Sequence, residues 1–142
     1  MATGVSGRRG GAMTYRFVEH VGEVELELEA PTEAGIFEAA LGAFADLVGG
    51  DGGEPARHQV VLAGGDRALL LVDWLGELVF LAEVEQFVPE RLEALELEAD
   101  GLRATVAGRR GEPRHLVKAV TLNGLRFEPR EGGWHAHVVL DV

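Results

Sequence analysis

From position 23 to 30 the chain reads EVELELEA, with Val24, Leu26 and Leu28 alternating against Glu23, Glu25, Glu27 and Glu29. A period of two puts the apolar set on one side of a pleated strand and the glutamates on the other, which predicts a half-buried strand. The preceding YRFVEH at 15–20 predicts a shorter one. The period then changes. After Pro31, Thr32 stands at an N-cap position, and Ile36, Phe37, Ala40, Leu41, Phe44 and Val48 recur at the spacing of one helix face, closed by the glycines of 49–53. RHQVVLA at 57–63 predicts a third strand, ended by Gly64 and Gly65. Asp66 then caps a second helix reaching about Gln86. It is apolar around most of its circumference, with a polar seam at Asp73 and Glu77, and is expected to be the more deeply buried of the two.

Past Pro89 the alternation returns. Leu95, Leu97 and Ala99 oppose Glu96 and Glu98, Asp100-Gly101 forms a turn, and Leu102, Ala104 and Val106 alternate on the way back. Positions 116–127 predict two short strands around an Asn123-Gly124 hairpin turn, and Gly132-Gly133 precedes a last strand at 134–142. Hairpin turns dominate and βαβ repeats are missing. The pattern predicts an α+β domain of two layers, a mostly antiparallel sheet covered on one face by two helices, with its glutamate face left to solvent.

Length and composition narrow the picture. A chain of 142 residues, 46% hydrophobic and 26% charged, suits one domain with one core. No apolar run reaches the roughly 18 residues that a bilayer span needs; the longest candidate, 68–84, is broken by Asp73, Gly76, Glu77 and Glu83. Residues 1–13 have no apolar stretch of the secretory kind and read as a flexible leader to a domain at 14–142. The absence of cysteine excludes disulfides, thiolate nucleophiles and Cys-ligated zinc, and fits a cytoplasmic setting. A formal charge of −11 makes the chain a poor autonomous nucleic-acid binder, because such binding relies on cations that neutralise phosphates. RNA, if involved, is expected to be held by a partner.

Few residues offer chemistry. The glycines of 49–53 lack both the dinucleotide and the P-loop spacing. Ser6 is the sole serine, which excludes a Ser-His-Asp triad in practice. His135 and His137 project to one face of the last strand with Val139 and Asp141. That set is a possible ligand pair, but polar residues on an exposed sheet face are the commoner meaning of such alternation. Asp141 is also roughly 13 Å from His137 at about 3.3 Å per residue, too far to share an ion. Asp141 precedes the terminal Val142, and the apolar Val138, Val139 and Leu140 are expected to hold that end in the sheet. Two carboxylates about 4 Å apart repel by roughly 4 kcal/mol at an effective dielectric of about 20. A hard divalent cation relieves this, although spacing alone favours an ordinary solvated terminus. Lys118 is the sole lysine among twelve arginines, a compact point charge where the rest are planar forks.

Four segments carry a resemblance: Glu19-His20-Val21-Gly22-Glu23-Val24, Trp74-Leu75-Gly76-Glu77-Leu78-Val79-Phe80-Leu81, Val117-Lys118-Ala119-Val120-Thr121-Leu122-Asn123-Gly124-Leu125, and Trp134-His135-Ala136-His137-Val138-Val139-Leu140-Asp141-Val142. In order and spacing, from about Tyr15 to the end, they resemble the archease family. The resemblance implies a two-layer domain that binds a divalent ion, calcium first, with magnesium or manganese as alternatives. It places the ligands at Glu23, Asp141 and Val142, with Glu23 standing where the family has aspartate. It puts a functional lysine, Lys118, beside them, gives His20 a part in orienting the Glu23 strand, and makes Glu77 a more distant acid of the site. It implies a protein that is not itself an enzyme but activates an RtcB-type RNA ligase, promoting the ligase's guanylylation and turnover in tRNA splicing or RNA repair, touching RNA only through the ligase and no membrane. Two other readings compete. One is a stand-alone metal-dependent phosphoesterase or nuclease that uses these carboxylates with His135 or His137; the other is a chaperone-like binding module stabilised by metal.

Overall fold

A computed structural model describes residues 3–9, 13–50 and 52–142 of the chain, with 3–9 described as backbone. The elements run β1 (Thr3–Arg9), β2 (Met13–His20), β3 (Glu23–Ala30), α1 (Glu33–Val48), β4 (Pro55–Ala63), α2 (Arg67–Glu83), β5 (Phe87–Glu98), β6 (Gly101–Arg110), β7 (Ala119–Arg130) and β8 (Gly133–Asp141). The alternation in EVELELEA does what its period requires: Val24, Leu26 and Leu28 are buried, while the glutamates between them face outward. The same holds across β2, where Tyr15 and Phe17 point inward.

Both helices start where the sequence caps them. The Thr32 side chain accepts the Gly35 N–H at 3.0 Å, and Asp66 accepts the Leu69 N–H at 3.0 Å, each satisfying an orphan donor of a first turn. The predicted apolar face of α1 is buried throughout, and Trp74 of α2 donates its indole N–H to the Phe37 carbonyl at 3.0 Å inside the core. Their burial is the reverse of the prediction. α1 packs against β2, β3 and β8 on one side and β5 on the other, whereas α2 leaves Leu69 and Phe80 exposed. Both helices touch both sheets, and how completely each is covered is not announced by its own sequence.

The fold class is α+β with antiparallel strands, as the pattern predicts, but the sheet layer is divided. One sheet has five strands in the order β1-β2-β3-β8-β7, the other three in the order β4-β6-β5. Within the expected leader 1–13, Thr3–Arg9 pairs antiparallel with β2 and so forms one edge of the five-stranded sheet; residues 1, 2 and 10–12 lie outside the described residues. Two further expectations are corrected. Asn123-Gly124 is no hairpin turn. β7 is one strand whose register against β8 slips between Thr121 and Arg126, and Gly124, at φ 64°, sits in that bulge. α2 ends at Glu83, short of Gln86, whose φ of 49° is incompatible with a continuing helix. No described helix is long and apolar enough to cross a membrane.

Because β8 lies between β3 and β7, the last strand is central. That placement fixes the carboxyl end of the chain and sets up the site.

Candidate functional site

Three segments meet at one end of the five-stranded sheet: the β2–β3 turn, the start of β7 and the end of β8. Gly22, at φ 78°, lets β2 reverse into β3 within two residues. Glu23 then stands opposite Asp141 across the β3–β8 pair, and Ala119 stands opposite Asp141 on the other side. The Val142 N–H donates to the Gly22 carbonyl at 3.0 Å, and the Lys118 N–H donates to the Asp141 carbonyl at 2.8 Å. Backbone bonds on both sides therefore pin the last two residues. Directly opposed side chains have Cβ atoms about 4.5–5.5 Å apart, so the Glu23 and Asp141 carboxylates share one patch of the outer face. Alternation turns the Val142 side chain the other way, against the core.

The residues singled out in the sequence fall into two groups. Glu23, Asp141, Val142 and the exposed Lys118 come together, although more than half the chain separates Glu23 from the rest. His20 is the register partner of Glu23, but its ring turns to Glu25, with Nε2 2.6 Å from Oε2. Glu77 stands apart. It lies on α2, on the helix-covered side of the sheet, and among the described residues no hydrogen bond or ion pair ties it to the others.

A second cluster lies further along the same outer face. Both His135 and His137 are buried, contrary to the exposed face expected from alternation. Their strand is central, and neighbours on β3 and β7 close over them. His137 Nε2 lies 2.8 Å from Glu25 Oε1, and its Nδ1 lies 2.7 Å from the Gly124 carbonyl oxygen. His135 Nε2 lies 2.5 Å from Glu27 Oε2. These contacts lower the Glu25 pKa from its ordinary value, the hydrogen bond with His137 most and that with His20 next, against a desolvation that raises it. Sequence reading offered the histidines as possible ligands but gave Glu25, Glu27 and Gly124 no part in a site. The alternation put both glutamates on the right face, but only the β3–β8 register sets them beside the imidazoles. Among the described residues, no three His, Asp or Glu side chains are arranged around a common point as metal ligands. The Glu23 and Asp141 side chains at the sheet end are no exception.

The chain is similar to known proteins over nearly its whole length. The profile of the Archease protein family matches residues 15–142. "Protein archease" of Methanosarcina mazei is 34% identical over 140 residues, covering 90% of this chain and 95% of that one. "Protein archease" of Archaeoglobus fulgidus is 31% identical over 137 residues, covering 92% of this chain and 100% of that one. Among solved structures, the solution structure of a Methanobacterium thermoautotrophicum protein superposes with a TM-score of 0.65 at 25% identity, covering 89% of this chain and 96% of that one. The crystal structure of a Thermotoga maritima protein, described as an archease and possible chaperone, superposes with a TM-score of 0.68, covering 87% and 94%. At 18% identity that likeness shows the fold alone.

Proposed function

This chain belongs to the archease family, and from that premise we propose that it is a metal-binding protein cofactor, not itself an enzyme, that activates an RtcB-type RNA ligase by promoting the ligase's guanylylation and turnover in tRNA splicing or RNA repair. The observation that supports this most is the register at the sheet end, where Glu23 faces Asp141 and backbone bonds hold Val142 and Lys118 in the same patch.

The donors there fit a hard divalent cation. Carboxylates of Glu23, Asp141 and the terminus offer oxygen alone, which favours calcium, with magnesium or manganese as alternatives, over metals that seek nitrogen or sulfur. Bound there, a divalent ion supplies positive charge that offsets the carboxylates' mutual repulsion. The rest is done by the chain's own groups. Pairing on both flanks of β8 keeps the terminus from fraying and so keeps its carboxylate in place. Lys118 holds an exposed ammonium on the adjoining backbone, suited to a phosphate oxygen on the partner. A net charge of −11 leaves the polyanion to the ligase. The cysteine-free composition fits work in the cytoplasm.

The test is ligase guanylylation and multiple-turnover RNA joining, measured with and without this protein across calcium, magnesium and manganese. Asp141→Ala and Lys118→Ala are each expected to lower activation by about tenfold or more, which corresponds to roughly 1.4 kcal/mol of lost stabilisation. Activation unchanged in both variants sinks the proposal. Phosphoester or RNA cleavage by the chain alone would favour the hydrolase reading. Suppressed aggregation of client proteins with no effect on the ligase would favour the chaperone-like one.

A further inference from the structure

Glu19 lies on the side of β2 that otherwise faces the core. The inward set runs Met13, Tyr15, Phe17, and a period of two brings Glu19 to the same side, across the strand pair from the buried Val24. A carboxylate has no packing role there: the residue is exposed, and among the described residues no hydrogen bond or ion pair engages it. The helix layer stops short of this end of the sheet. α1 ends at Val48, and the chain entering β7 passes beside that end, with the His115 N–H on the Val48 carbonyl at 2.9 Å. An open groove of about 570 Å³ remains, lined by the buried Phe17 and Val24 and by the more open Leu47, Leu116 and Val142. Leu116 is 58% exposed. Glu19 and Asp46 also line the groove, both exposed, and Asp46 accepts the Tyr15 hydroxyl.

We propose that this groove is where the ligase docks, and that its occupant is an arginine or lysine side chain with an apolar neighbour, projecting from one segment of the ligase surface. The inference rests on the activator reading and adds to it the place where the partner is held. A long cationic side chain buries its methylene stem on apolar surface and keeps its charged head at the edge. Here the stem lies along Phe17 and Leu116, the head meets Glu19 and Asp46, and the apolar neighbour fills the space by Leu47 and Val142. In the free protein the two acids are hydrated; a cation arriving with the partner gives them a charge of opposite sign. Val142 makes the groove continuous with the proposed ligand set, because its side chain lines the groove while its N–H is bonded to the Gly22 carbonyl, next to Glu23. A partner seated in the groove is thereby brought against the acid and lysine patch.

Size and charge argue against other occupants. The volume falls within the roughly 300–1,000 Å³ of small-molecule pockets, which gives room for a pair of side chains and not for a whole helix. Two carboxylates and no described lysine or arginine line it, so a polyanion such as RNA is repelled. A second copy of this chain is a poor source of the cation: it has a single lysine, and its exposed Arg57, Arg91 and Arg103 are already held by Glu93 and Glu98.

The purified ligase is bound to the full chain in a surface-plasmon-resonance assay over a salt series, and guanylylation is followed against the concentration of this protein. Leu116→Ala and Glu19→Lys are each expected to weaken affinity by about tenfold or more. The concentration giving half-maximal guanylylation should rise by the same factor, with the maximum at saturation retained. Glu19→Gln should flatten the salt dependence of binding. Val61→Ala, at an exposed valine of the three-stranded sheet, should alter none of these. Because a variant can misfold, methyl NMR of the wild-type chain gives an independent reading: the ligase must shift the Leu47, Leu116 and Val142 methyl signals. If the wild type binds and activates the ligase while Leu116→Ala and Glu19→Lys bind equally well, the groove is overturned and the activator reading stands. Binding that follows these variants while guanylylation never responds supports the groove and sinks the activator reading. No binding of the wild type overturns both. Methyl signals unmoved by the ligase, an equal loss in Val61→Ala, or self-association that Glu19→Lys abolishes would each overturn the proposed occupant.

Discussion

Glu25 is pinned between two imidazoles on different strands, His137 Nε2 at 2.8 Å and His20 Nε2 at 2.6 Å. Its pKa is lowered below the ordinary 4.5, first by the hydrogen bond with His137 and then by that with His20. A folded-state pKa below the unfolded one contributes stability that is complete above the unfolded value and is lost as pH falls through the folded one. Denaturation midpoints of the wild type and Glu25→Gln should therefore differ near neutral pH and converge below about pH 4.5; a difference that grows on acidification contradicts the sign. The effect will be modest, because the Glu25 side chain is 30% exposed and solvent screens it. At this scale the sequence showed which residue types were present and which way they pointed. It placed Glu25 and His137 on sheet faces but could not show that the faces coincide, since the register between β3 and β8 joins residues more than a hundred positions apart.

Among the elements, β6 is confined most tightly by its neighbours. It is the middle strand of the small sheet, and Gly108 stands opposite Pro89 where β5 bulges. A Cβ at Gly108 would lie 2.0 Å from the Val88 carbonyl oxygen, a backbone atom that cannot swing aside. Gly108→Ala should thus destabilise by about 1–3 kcal/mol as overpacking, checked by chemical denaturation, and a neutral result would mean that β5 can slide away from β6. Thr32→Ala should cost about 1 kcal/mol through loss of the α1 cap. Cap residues were legible in the sequence because capping is local; the bond from Gly35 spans three residues. Asn123-Gly124 misled for the opposite reason. The dipeptide favours a positive φ, which Gly124 has, but hairpin and bulge both use one, and pairing with β8 decided between them.

For the whole molecule, one core joins both sheets through the two helices, and Trp74, Phe37 and Phe44 are fully buried within it. Phe44→Ala should cost about 3–5 kcal/mol. The two sheets should then lose structure in a single transition; separate melting of the three-stranded sheet would show that the helices do not couple them. The same coupling explains which features were readable in advance. Hydrophobic period, caps and turn residues act over a few positions, so the sequence by itself determined the order of most elements, the α+β class, and which side of each strand faces inward. The motifs also placed the chain in its family. Pairing partners are chosen by the competition of all apolar faces for one interior, and no local pattern encodes that choice. Only the tertiary structure decided that the sheet divides in two, that β8 becomes central and buries its histidines, and that Glu23 meets the last two residues of the chain.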